Sequence, residues 1–276
     1  MKWLYFILSH SIFIAVCAVA LTFQTALLLK LHISLFVYGF IFFATLSSYN
    51  FYWILSKAAF MDASGIPALL RNEKTGLVIL FLSAAGAMFC LFQNPLPAAF
   101  IITSFLLTAA YTLPLLPFRP FFVFRKAGVL KTGLLAFTWA YVTVFIPLQK
   151  TYLQLSSAEL FVFTRRFLFM GMLCILFDYR DKAIDKVRGL HSLATVLTPG
   201  QLRAVVYFIF AVLFTTNFLY PYYAITFAQS VALHISTLAL LVVYFYSLKK
   251  RNYLFYYFIV DGMMLFSALA TYIAGI

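Results

Sequence analysis

The feature that most constrains this chain is its succession of long apolar runs. A helix that crosses a membrane needs about 20 mostly apolar residues, because hydrocarbon offers the backbone no hydrogen-bond partners other than its own. Nine such segments follow one another, over residues 3–29, 32–55, 77–93, 98–117, 130–148, 160–177, 204–220, 222–248 and 253–274. Composition agrees: 65% of the 276 residues are hydrophobic and 10% are charged, whereas a soluble domain has about 45–50% and about 25%. The pattern predicts an all-α polytopic membrane protein, with nine transmembrane helices in a single integral-membrane domain spanning residues 1–276. The first segment is longer than the apolar core of a signal peptide and reads as a span. Arg165 and Arg166 interrupt the sixth, and the expectation is that they snorkel to the far interface.

Charge sets the orientation. The chain carries 20 Lys and Arg against 7 Asp and Glu. With nine spans, the N-terminus and the loops after spans 2, 4, 6 and 8 hold sixteen of those twenty bases. By the positive-inside rule these parts face the cytoplasm and the C-terminus lies outside, which places the protein in the cytoplasmic membrane. Such segregation accounts for the basic excess without nucleic acid as a partner. Cys17, Cys90 and Cys174 lie in apolar segments with no Cys-x-x-Cys spacing, and read as small core hydrophobes.

The acids are distributed unevenly. Asp178, Asp181 and Asp185 fall within eight positions, in "LFDYRDKAIDKVRG" at residues 176–189, leaving only Asp62, Glu73, Glu159 and Asp261 elsewhere. On a helix, spacings of i, i+3 and i+7 put the three side chains within about 60° of one another. Like charges on one face repel, so something must offset them. Lys182 and Arg188 stand at helical spacing from Asp178 and Asp185, and this would make a solvated, salt-bridged face. A divalent cation is the other possibility, since Mg²⁺ is commonly held by one or two carboxylates together with substrate phosphates. The cluster's position where an apolar span meets the interface favours a site. Lys57, Arg125, Lys126, Lys182 and Lys186 fall on the same predicted side. Carboxylates holding Mg²⁺ among such bases suit a ligand with two or more phosphates.

"FDYRDKAIDKVRGLHSLATVL", residues 177–197, resembles the second conserved motif of the UbiA-type intramembrane prenyltransferases, of the form D-x-x-D-x-x-x-D followed by basic residues and a Gly. "YTLPLLPFRP", residues 111–120, resembles that family's stretch after the fourth span, and "KTGLLAFTWAYVTVFIPL", residues 131–148, is similar to its fifth span. The resemblance implies a UbiA-like bundle that uses Mg²⁺ to bind a polyprenyl diphosphate, ionises it, and alkylates an aromatic or other lipophilic acceptor within the membrane lipid. It implies Asp178, Asp181 and Asp185 as metal ligands, with Asp178 in support. Asp181, Asp185 and Tyr111 would be catalytic. Asn50, Lys57, Arg125, Lys126, Lys182 and Lys186 would bind the substrate.

The chain departs from the family at its first motif, N-D-x-x-D-x-x-x-D. The corresponding "NFYWILSKA", residues 50–58, keeps Asn50 and has Phe51, Ile54 and Ala58 in the three Asp positions. Lys57 is therefore a candidate fixed cation in place of one metal. The departure keeps open a second reading, in which the fold binds an isoprenoid phosphate without transferring its tail. A cation transporter fits less well, because transporter sites lie near the midplane and these acids lie at a helix end.

Overall fold

A computed structural model describes residues 2–58, 66–112, 128–150, 154–187, 191–223 and 225–276, and among these it contains helices and no strand. In chain order they are α1 (Lys2–Ser9), α2 (Ile12–Leu29), α3 (Leu35–Ala58), α4 (Ile66–Asn72), α5 (Lys74–Gln93) and α6 (Ala98–Thr112). Next, α7 runs from Gly128–Ala140 through a π-helical turn, Tyr141–Phe145, to Ile146–Leu148. After it come α8 (Ser157–Val187), the short α9 (Leu193–Val196), α10 (Pro199–Thr216) with a 3₁₀ extension Asn217–Tyr223, and α11 (Phe227–Ser247). The last, α12, opens with a π-helical turn, Phe255–Val260, and continues as Asp261–Ile273.

Eight of these elements are long and apolar enough to cross a membrane, and Ala98–Thr112 is a shorter apolar helix at the start of the remaining expected span. The rest of that span, to residue 117, lies outside the described residues.

Two expectations are corrected. The first apolar run is not one helix, because the chain breaks at Ser11, whose φ is 63°, and the membrane-length helix begins at Ile12. Asn50 of α3 holds this break by donating to the carbonyl of His10 at 3.0 Å. Arg165 and Arg166 do not snorkel; both are buried in the bundle. The reason is that neighbouring helices supply acceptors: Arg165 Nη1 donates to Leu213 O at 3.1 Å and Thr216 Oγ1 at 2.9 Å, and Arg166 Nη2 faces Thr25 Oγ1 at 3.4 Å.

Helix starts follow local chemistry. Thr198 and Gln201 form a reciprocal capping box ahead of α10, with Pro199 in its first turn, and Thr226 with Gln229 do the same for α11. α8 is capped by Ser156 and Glu159, whose Oε2 accepts from the Ser156 N–H at 2.7 Å.

Packing sets which helix ends meet. α2 sits centrally, against α3, α12 and the π turn of α7, while α8 packs on α7, α10 and α11. α3 and α5 approach closely at two glycines. A Cβ on Gly39 would stand 2.8 Å from Cys90 Sγ, and one on Gly86 would stand 2.9 Å from the Phe43 ring. Small residues allow such contacts where lipid supplies no hydrophobic drive between helices. The core these contacts enclose includes Leu21, Ile41, Phe100, Met172, Leu173 and Leu240, all nearly inaccessible. The three cysteines are buried and unbridged, as expected.

Candidate active site

The acidic residues lie on the last turns of α8, which runs unbroken to Val187 and so carries all three on one helix. Asp178 lies farthest from the helix end. Its Oδ2 accepts a short hydrogen bond from Thr132 Oγ1 on α7 and another from the N–H of Leu193, at the start of α9, at 3.2 Å. One turn on, Asp181 is gripped by Arg180, whose Nε and Nη2 donate to its two oxygens at 2.7 Å each. Asp185 is buried, within electrostatic reach of Asp178.

Lys131, in the first turns of α7, lies within electrostatic reach of all three carboxylates and of Tyr52. It therefore offsets the like-charge repulsion that the spacing sets up. Arg180 adds a direct ion pair to Asp181 and is itself boxed by aromatic rings. Its guanidinium carbon stands 4.8 Å from the ring centroids of Phe177 and Tyr257 and 5.3 Å from that of Tyr256. Face-on contact with a ring quadrupole holds a cation in place.

The expected site residues divide into three groups. Asp178, Asp181, Asp185, Lys182 and Lys186 share α8, with Lys182 half-buried and Lys186 exposed on the helix rather than in a loop. Tyr111, at the end of α6, stacks on Tyr52 with centroids 5.3 Å apart and so joins the same region through α3. Asn50 and Lys57 have other engagements. The Asn50 amide donates to His10 O and to Leu46 O, at 3.0 and 2.8 Å, and Lys57 forms an ion pair with Glu73 at the start of α5. Arg125 and Lys126 lie outside the described residues, as do Asp62, Pro114 and Gly189.

Sequence reasoning passed over Lys131, Thr132, Arg180, Tyr52 and Tyr257. Lys131 and Arg180 were visible as cytoplasmic bases, and only packing of α7 and α12 on α8 turns them toward the acids.

The resemblance implies Mg²⁺, and the donor set decides how far the residues fit it. Among the described residues no three Asp, Glu, His or Cys side chains converge as a preformed metal centre. A carboxylate has about four lone-pair positions, so the Arg180 fork leaves capacity on both Asp181 oxygens. One helical turn separates Asp181 from Asp185. The residues thus fit Mg²⁺ as a pair of carboxylates whose shell substrate phosphates would complete, the usual manner for this ion.

No protein-family model matches the chain, and no curated protein matches it. Among solved structures it is similar to the apo structure of a UbiA homolog from Aeropyrum pernix K1, with a TM-score of 0.64 at 13% identity, covering 94% of this chain and 96% of that one. Agreement over nearly the whole of both chains at so low an identity is agreement of architecture, and on it the chain is a helical membrane protein with the UbiA-type fold.

Proposed function

We propose that the chain, acting as one membrane unit over residues 1–276, is a prenyltransferase of the UbiA type. It would move a polyprenyl group from its diphosphate to an aromatic or other lipophilic acceptor at the cytoplasmic end of the bundle. The observation that carries this is the acidic face of α8 set between two cations, Lys131 and Arg180, within a UbiA-type fold.

Asp181 and Asp185 would hold Mg²⁺ jointly with the diphosphate, with Asp178 fixed behind them by Thr132 and the Leu193 N–H. When bound, the metal supplies charge neutralisation to the leaving diphosphate. The chain's own cations serve the same end. As the allylic C–O bond breaks, negative charge grows on the diphosphate and positive charge on the allyl group, and groups fixed in advance stabilise that separation most. Lys131, Lys182, Lys186 and the loop bases Arg125 and Lys126 would meet the diphosphate. The stacked rings of Tyr52 and Tyr111 would lie against the allylic end, where aromatic faces favour a carbocation. Asn50 would contribute through the position of α3.

A second reading is supported by α3 itself. Its first-motif positions hold Phe51, Ile54 and Ala58, and Lys57 is already paired with Glu73, so this helix brings no carboxylate to a second metal. The fold would then bind an isoprenoid phosphate and not ionise it.

Binding tests both together. Purified protein in nanodiscs should bind a labelled polyprenyl diphosphate saturably, tightly with Mg²⁺ and weakly with chelator, and Asp181→Asn with Asp185→Asn should erase the Mg²⁺ effect. Binding indifferent to Mg²⁺ and to both substitutions would refute the site. Binding with no release of diphosphate, in the presence of a range of aromatic acceptors, would select the second reading.

A further inference from the structure

A second polar centre lies in the opposite half of the bundle. Arg166 precedes Asp178 by twelve residues of continuous helix, which at 1.5 Å per residue is about 18 Å along α8. Here Arg165 and Arg166 line a small cavity of about 30 Å³ together with Gln24 of α2, Ser236 and Thr237 of α11, and Ser267 of α12. Two adjacent guanidiniums are thus buried within the bundle, with relative exposures of 9% and 4%.

None of the cavity's lining residues is acidic. Glu159, the acid nearest along α8, is bound to Lys150 at 2.7 Å and to the Ser156 N–H. Among the described residues the hydrogen bonds of the two arginines go to neutral oxygens, those of Leu213, Thr216 and Thr25, and Arg165 also lies over the Phe161 ring, 5.7 Å from its centroid. Arg166 Nη1 is buried and has no hydrogen-bond partner among the described residues. Guanidinium stays charged in proteins, and a buried charge without a counter-charge is strongly unfavourable. Hydroxyls around the cavity are engaged as donors to their own helices, Ser236 to Ala232 O and Thr237 to Leu233 O, both at 2.8 Å. The open N–H of Arg166 is therefore the donor that a ligand would meet.

We propose that this cavity is an anion site, occupied by a small monovalent anion of the halide class, whose charge offsets the Arg165–Arg166 pair. A volume of about 30 Å³ suits a monatomic ion. The site is separate from the acidic end of α8 and independent of what is bound there.

The test compares thermal unfolding of the full chain in detergent, in sodium chloride, sodium bromide and sodium gluconate at matched ionic strength. The proposal expects a saturable rise in Tm of several degrees with either halide over gluconate, and loss of that rise in Arg166→Gln. Should Arg166→Gln fail to fold, bromide-soaked crystals of the natural sequence decide, with an anomalous peak expected at hydrogen-bond distance from Arg166 Nη1. Equal Tm in halide and gluconate, a halide effect that persists in Arg166→Gln, or a cavity holding only water would each overturn it.

Discussion

Replacing Arg180 by Met separates a positioned carboxylate from a merely adjacent one. Met keeps an apolar stem against Phe177, Tyr256 and Tyr257 but removes the charge, both 2.7 Å bonds to Asp181 and the cation–ring attraction. A buried charge-assisted hydrogen bond contributes about 1.5–3 kcal/mol. The Arg180 and Asp181 side chains are 23% and 36% exposed, and solvent screening at such exposure brings the fork as a whole to about 1–2 kcal/mol. Three rings around one cation add about 1 kcal/mol, since a cation cannot face all of them equally well. Arg180→Met should therefore cost about 2–3 kcal/mol. The assay is unfolding in mixed detergent micelles, run as a double-mutant cycle with Asp181→Asn, where the coupling should be about 1–2 kcal/mol. A cost under about 0.5 kcal/mol with no coupling would refute the fork as the means of orienting Asp181.

Other perturbations probe the frame around the site. Gly86→Ala forces a methyl group onto the Phe43 ring and should destabilise by about 1–3 kcal/mol, measured as a lowered Tm that Gly86→Ala with Phe43→Leu partly restores. Gln24→Leu removes the amide that links α2 to Ser267 and Thr271 at 2.8–3.0 Å, and should cost about 0.6–1.7 kcal/mol; an unchanged unfolding midpoint would speak against that link. Ser156→Ala uncaps α8 and should cost about 1 kcal/mol, with hydrogen exchange rising first at residues 157–160.

The fold was legible where apolar length alone decides it. Runs such as 77–93 and 222–248 are recognisable as spans because a helix satisfies the whole backbone of a long apolar run within lipid, and the structure has membrane-length helices there, Lys74–Gln93 and Phe227–Ser247. The break at Ser11 was hard to read, since Ser9, His10 and Ser11 are too short a polar interruption to end so long an apolar run, and the hydrogen bond that braces the left-handed turn comes from Asn50 on another helix. The inward course of Arg165 and Arg166 was hidden for a like reason: their acceptors, Leu213, Thr216 and Thr25, are distant in sequence. In the candidate site the spacing of the three acids was readable as one helical face. The cations that make that face tolerable were not, because Lys131 arrives from α7 and the aromatic box of Arg180 is completed by α12.

The central claim, that the acidic end of α8 ionises a polyprenyl diphosphate, meets its most direct test in diphosphate release. Protein in nanodiscs would be incubated with a labelled polyprenyl diphosphate and a set of aromatic acceptors, with and without Mg²⁺, beside Asp185→Asn and Lys131→Met. The account predicts release in the natural sequence with Mg²⁺, loss of at least about two orders of magnitude in Asp185→Asn, and a smaller loss in Lys131→Met. Release that survives Asp185→Asn at the same rate would contradict it.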